Sequence, residues 1–160
     1  INRVLEANGC PLFLRPAAPD LRKFYQKFGF QDCIKMKTLH GCAKKTSAQI
    51  FEITDVSEYG LLRQRFGGAD TVITDDQLLS LAVTDMMVVS DRSTFVALCH
   101  KDEKLLQIAE LLGAPQAAEG IAAFWGAEEY SCRFPDTLGD ALCMGKDFPQ
   151  NAATGLLFDI

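Results

Sequence analysis

The order of apolar and polar residues changes period several times along the chain, and each change marks a predicted element. Cys10 to Pro16 is a short apolar run closed by proline, which reads as a strand. Asp20 is placed to cap a helix over Leu21 to Phe28 that Gly29 ends. Phe30 to Leu39 alternates in part and predicts a second strand. His40 to Ser47 is polar and loop-like, and it is the best candidate boundary between two parts of the chain. Ala48 to Thr54 reads as a strand. Ser57 to Arg65 is helical, with Tyr59, Leu61, Leu62 and Phe66 on or near one face. Gly67-Gly68 breaks it. A further helix runs from Thr74 and Asp75 through Met87, with Leu78, Leu79, Ala82, Val83 and Met86 at helical spacing.

Ser93 to His100 and Lys104 to Leu112 are apolar runs around Lys101-Asp102-Glu103, a hairpin signature. Gln116 to Trp125 predicts a short helix stopped by Gly126, and Tyr130 to Phe134 a strand before Pro135. Thr137 to Met144 reads as another short helix and Thr154 to Ile160 as a last strand. Strands and helices are mixed, with one clear hairpin and βαβ-like segments. The expected class is α+β with an α/β-like character, helices packed on a sheet. A weak repeat runs through this pattern: strand, Arg, Pro, helix, Gly, strand. Arg15, Pro16, Asp20 and Gly29 correspond in it to Arg133, Pro135, Asp136 and Gly145, which suggests two lobes of related build.

Composition narrows the function class. The chain has 160 residues, 48% hydrophobic and 23% charged, the mix of a globular domain rather than a disordered one. No apolar run approaches the ~20 residues that span a bilayer. A net charge of −5 supplies no broad basic field for nucleic acid or anionic lipid. Six cysteines are present: Cys10, Cys33, Cys42, Cys99, Cys132 and Cys143. They show no C-x-x-C spacing, and His40 and His100 are the two histidines, so no zinc-type ligand set is visible. Cys99-His100 points to opposite faces of a strand and makes no nucleophile–base pair. Buried or incidental thiols in a reducing cytoplasm are the expectation.

Three further features carry candidate chemistry. Glu128-Glu129-Tyr130 reads either as an acidic patch for a cationic amine or as a solvated turn, and Asp75-Asp76 likewise as an acidic patch or as a helix cap that complements the dipole. Glu110 lies in L-L-Q-I-A-E-L-L. Strict alternation puts it on one face with Leu106 and Ile108, opposite Gln107, Ala109 and Leu111. A carboxylate among aliphatic side chains is a candidate substrate or base residue, or marks a sheet edge.

The most specific stretch is Leu21-Arg22-Lys23-Phe24-Tyr25-Gln26-Lys27-Phe28-Gly29-Phe30. It resembles the F-Y-x-K-x-G-F segment of the GNAT superfamily, the acyl-CoA-dependent N-acyltransferases. The order around it agrees: helix end, strand, helix with Phe-Tyr, Gly-Phe, strand. The resemblance implies a mixed, mostly antiparallel sheet flanked by helices. It divides the chain into 1–43, the C-terminal part of a catalytic domain, and 44–160, a divergent second lobe. In that lobe Ser93 to Leu112, Gln116 to Trp125 and Tyr130 to Phe134 resemble the order around the family's cofactor strand.

The implied activity is transfer of an acetyl or other acyl group from acetyl-CoA to a small-molecule or peptide amine, without a metal. The implied site residues are Tyr25, the general acid for the leaving thiolate, and Phe24, beside the CoA arm. A phenol stays protonated at neutral pH and suits that role. Departures from the family pattern are visible. Ala18 and Leu21 stand where many members have Asn and Ala. The pyrophosphate loop, [Gln/Arg]-x-x-Gly-x-[Gly/Ala], does not precede Tyr25. A literal match at Gln64, Gly67 and Ala69 follows a helix and reads as a Gly-Gly helix stop. Ala114-Pro115-Gln116-Ala117-Ala118-Glu119-Gly120 holds the equivalent place in the second lobe without the glycine spacing, and Ala141 there matches Tyr25. The first residues, Ile1 to Gly9, read as a helix end, so the expectation is a C-terminal portion whose cofactor loop lies ahead of Ile1. A non-catalytic GNAT-like binding or dimerisation module is the alternative, and a homodimer is a further expectation.

Overall fold

The computed structural model describes residues 12–67 and 86–147. The expected helix from Thr74 and strand from Thr154 lie outside the described residues. So do Cys10, Ala69 and Asp75-Asp76. The described strands are β1 (Leu12–Leu14), β2 (Gln31–Cys42), β3 (Phe51–Glu52), β4 (Met87–Ser90), β5 (Phe95–Asp102), β6 (Leu105–Gly113), β7 (Glu129–Pro135) and β8 (Asp140–Lys146). The helices are α1 (Leu21–Gln26), α2 (Val56–Gly67) and α3 (Ala117–Phe124). The strands join one eight-stranded sheet in the order β1-β8-β2-β7-β6-β5-β4-β3. Its pairs are antiparallel except β6 with β7, which is parallel. The mixed, mostly antiparallel α+β class is the one the sequence predicts.

Alternation explains how the sheet is covered on both sides. On β5, Phe95, Ala97 and Cys99 face α3, where Ala118, Ile121 and Ala122 are buried. Val96 and Leu98 face α2, where Tyr59 and Leu62 are buried. A strand buried on both faces reads as a continuous apolar run, as F-V-A-L-C does here. β2 pairs with β8 through its first half and with β7 through its second. The strands of 1–43 and of 44–160 therefore share one hydrogen-bonded array.

Four expectations change. His40 to Cys42 continue β2, opposite Ser131, Tyr130 and Glu129, so the loop starts at Ala43. The strand expected over Ala48 to Thr54 shrinks to Phe51–Glu52. Met87 opens β4 instead of ending a helix, because Val88 and Val89 favour a pleated surface and find β5 beside them. Thr137 to Met144 is not a helix. The Asp136 carboxylate accepts the Leu138 N–H at 2.7 Å and the Asp136 carbonyl accepts the Gly139 N–H at 2.9 Å, which makes a tight turn. Asp140–Lys146 then fills the place between β1 and β2. Ladder pairing on two sides outweighs the weak helix preference of a segment holding Thr, Asp, Cys and Gly. The supposed repeat fails with it. α1 has no counterpart after Arg133, and Ala141 is a strand residue that cannot occupy the place of Tyr25.

Candidate functional site

The parallel pair β6/β7 opens into a wedge. Register runs from Leu105↔Glu129 to Ile108↔Cys132 and stops there. The cause is local. Cys99 pairs with Ile108 and Leu98 with Glu110, so Ala109 is an extra residue in β6, a bulge. Beyond it β6 follows β5, with Leu111 opposite Ala97 and Leu112 opposite Val96. β7 follows β2, with Phe134 opposite Lys37 and Pro135 opposite Met36. The strands part, and a cavity of about 190 Å³ lies between their ends. Leu111, Leu112, Gly113, Phe134 and Pro135 line it, with Phe66 from α2 among its other walls.

The bulge also corrects the face of Glu110. Leu106, Ile108 and Leu111 belong to the α3 side of the sheet, but Glu110 joins Leu112 on the α2 side. There it meets Arg63. The guanidinium is bidentate, with Nε donating to Oε1 at 2.9 Å and Nη2 to Oε2 at 3.2 Å, and both residues are 2% exposed. Burial drives the Glu110 carboxyl above its ordinary range against the pull of Arg63. A carboxylate gripped on both oxygens is a structural partner, not a base open to substrate. Tyr59 lies in the same layer. Burial, then Glu110, push its phenol well above the ordinary value, and its hydroxyl finds no hydrogen-bond partner among the described residues. The sequence carried a signal for this arrangement: a charge falls in the apolar phase of β6 and two leucines follow it, which marks a slip of phase.

The turn from the wedge into α3 does not fit a pyrophosphate. A phosphate cradle needs free backbone N–H groups at a helix start. Here Ala114 N–H donates to the Thr94 carbonyl at 3.1 Å, Ala117 N–H to Ala114 at 3.0 Å and Ala118 N–H to Pro115 at 3.3 Å. Pro115 has no N–H. Glu119 places a carboxylate in the first turn of α3. On the other side of that turn a hollow of about 240 Å³ lies under the 43–50 loop, where Lys44, Lys45, Thr46 and Gln116 surround it together with Glu119.

Phe24 and Tyr25 are elsewhere. α1 buries no residue and connects β1 to β2. Arg22 ties it down, donating to the Asp32 carboxylate and the Ala141 carbonyl. Tyr25 is half-buried, its ring 6.0 Å from Phe30 and 5.4 Å from Phe24. Phe24 is 49% exposed and stacks against Phe28 at 5.1 Å. Neither residue lines the wedge. Gln64 and Gly67 sit inside α2 rather than in a strand-to-helix turn, so the literal loop match is not a phosphate site. Cys99 is buried and His100 exposed, on opposite faces as expected. Glu128 is a turn residue paired with Lys104 at 2.7 Å, both well exposed. Among the described residues no three His, Cys, Asp or Glu side chains converge on a metal-sized site. None of the described helices is long and apolar enough to cross a membrane.

No family model matches the sequence, and no curated protein matches it. Solved structures do match in shape. A probable N-acyltransferase from Enterococcus faecalis V583 superposes with a TM-score of 0.61 at 13% identity, over 89% of this chain and 46% of that one. A GCN5-related N-acetyltransferase from Kribbella flavida gives 0.61 at 12% identity, over 90% and 44%. Another from Anabaena variabilis gives 0.55 at 10%, over 89% and 45%. The chain spans less than half the length of these structures.

Proposed function

We propose, for a chain with the fold of the GCN5-related N-acetyltransferases, that the protein transfers an acetyl or related acyl group from acetyl-CoA to an amine. The observation that carries this reading is the wedge. A parallel strand pair that parts after a bulge, between two covered sheet faces, leaves a slot for an extended ligand at the ends of the strands. In the proposed division, 1–43 completes a catalytic domain and 44–160 is the divergent lobe. Tyr25, which lies apart from the wedge, is the general acid of the first part and serves a donor held there. Its phenol holds a proton at neutral pH and yields it to a departing thiolate, while Phe24 offers an aromatic face beside the donor. The thioester supplies the activated acyl group, and the amine is the nucleophile.

A second reading has its own support. The N–H groups of Ala114, Ala117 and Ala118 at the turn into α3 already have acceptors, Pro115 has no N–H, and Glu119 opposes a pyrophosphate there. The wedge of this chain then serves as a binding or association element, while acyl-CoA is held by other parts of the protein. Titration calorimetry separates the two. Acetyl-CoA binding by the full-length protein but not by residues 1–160 supports donor binding outside this chain. No binding by the full-length protein overturns the transferase reading. In the full-length protein Tyr25→Phe is expected to lower turnover by about 10²-fold with acetyl-CoA affinity held. Unchanged turnover removes Tyr25 from the acid role.

A further inference from the structure

Five cysteines are described, and all are free thiols. The sheet register decides which of them can meet. Cys99 and Cys132 both flank Ile108, on β5 and β7, so one whole strand separates them. Two strand spacings amount to ~9–10 Å, beyond the ~7 Å limit for a disulfide. Cys42 pairs with Glu129, three positions along the ladder from the Leu39↔Cys132 pair, again too far. Cys33 and Cys143 are different. They are Cα partners across the antiparallel β2/β8 ladder, on one face, 1% and 0% exposed. Directly opposed residues have Cα atoms ~4.5–5.5 Å apart, inside the ~4.4–6.8 Å window of a disulfide.

We propose that Cys33 and Cys143 are a site of reversible oxidation, in which a low-molecular-weight disulfide such as oxidised glutathione joins them and staples β8 to β2. The Cys143 thiolate attacks one sulfur of the small disulfide and expels a thiolate. The Cys33 thiolate then attacks the mixed disulfide at Cys143 and expels the second. One S–S bond forms and one breaks. The protein thiols lose two electrons and two protons, and the small disulfide leaves as two thiols.

Two features of the fold make the step slow and conditional. Burial, then its neighbour Cys143, push the Cys33 thiol up to about 12, and burial pushes Cys143 up to about 11. Almost no thiolate exists while the ladder is closed. The route in is the edge. Among the described residues β8 is held on its outer side by Leu12–Leu14 of β1, so local opening there exposes Cys143. The ladder is also irregular at this place. Ile34, next to Cys33 and fully buried, has φ 46°, a rare conformation for a β-branched residue, and it drops out of the ladder between Cys33 and Lys35. A disulfide draws Cβ atoms closer than a relaxed ladder holds them, so the bond carries strain and is open to reduction.

The test is exposure of native residues 1–160 to oxidised glutathione, read by intact mass, thiol count and peptide mapping. The expected result is loss of two of the six thiols and of two hydrogens in mass, with a Cys33–Cys143 peptide that dithiothreitol abolishes. Oxidation should also raise the thermal midpoint, and reduction restore it. Cys33→Ser and Cys143→Ser should each block the cross-link, and Cys99→Ser should leave it. The mapping on the unmutated chain decides the matter even if a variant fails to fold. Full retention of six thiols, stable glutathione adducts without a cross-link, or a cross-link to any other cysteine overturns the proposal.

Discussion

Asp91 turns the chain between β4 and β5 with a single carboxylate. It accepts the N–H groups of Ser93 at 3.0 Å, Thr94 at 2.7 Å and Phe95 at 3.2 Å, and the Thr94 hydroxyl at 2.5 Å. Burial raises its pKa, but these bonds outweigh it and hold the group down at about 2. A depressed carboxylate stabilises the fold above its ordinary range near pH 4, and that contribution is lost as pH falls toward 2. With solvent screening the contribution is about 1 kcal/mol. Asp91→Asn should therefore lower the thermal midpoint at pH 6 and flatten its dependence between pH 5 and pH 2. A mutant curve parallel to the parent's would show that Asp91 is not the group responsible. Gly113, where β6 meets the turn into α3, is constrained differently. It has φ 97°, and a Cβ there would lie 2.1 Å from the Thr94 carbonyl oxygen. Gly113→Ala must push that backbone away and so disturb the Ala114 N–H bond to the same oxygen. A loss of about 2–3 kcal/mol in denaturant unfolding is expected, since both strain and a shifted backbone contribute.

At the scale of elements, the bond between α2 and the sheet is partly ionic. Arg63 and Glu110 stand among Tyr59, Leu62, Leu98 and Leu112, where water cannot compensate a lone charge. Arg63→Met alone leaves the buried carboxylate without its countercharge, and Glu110→Leu alone takes the countercharge from the buried guanidinium, each at a cost of about 3–5 kcal/mol. The double change Arg63→Met with Glu110→Leu should recover most of that loss. A double-mutant cycle by chemical unfolding measures it, and additive losses would mean that the two groups do not depend on each other. Other elements differ in how far their own residues specify them. The helices over Leu21, Val56 and Ala117 and the β5/β6 hairpin follow from spacing and from Gly29 and Gly126. The strand Asp140–Lys146 does not, because its identity comes from the two ladders beside it.

At the scale of the whole molecule, β2 is the strand on which both ends of the sheet depend. It carries ladders to β7 and β8, and it supplies Cys33, Ile34 and Met36 to the core beside Cys143. A cut between Ala43 and Lys44 leaves β7 and β8 with open edges and no strand between them. Residues 44–160 alone are expected to aggregate or lose near-UV circular dichroism, and adding 1–43 as a separate peptide should restore folding in part. A monomeric, cooperatively unfolding 44–160 would show that the second lobe needs no strand from the first.

The sequence by itself determined the α+β class, the hairpin, the helix stops and the opposite facing of Cys99 and His100. These depend on spacing and turn chemistry within a few residues, and such local rules act wherever the chain goes. It also carried the Phe24-Tyr25 segment, whose place on α1 it predicted and whose role it proposed. Only the tertiary structure decided that Ala109 is a bulge, that Glu110 therefore meets Arg63, and that β6 and β7 part into a wedge. It alone decided that the N–H groups of Ala114, Ala117 and Ala118 are spent on local carbonyls and that Cys33 faces Cys143. Each of these is a statement of register between strands far apart in sequence. Register is set by which ladder satisfies the backbone and buries the apolar face best, a comparison no single segment contains.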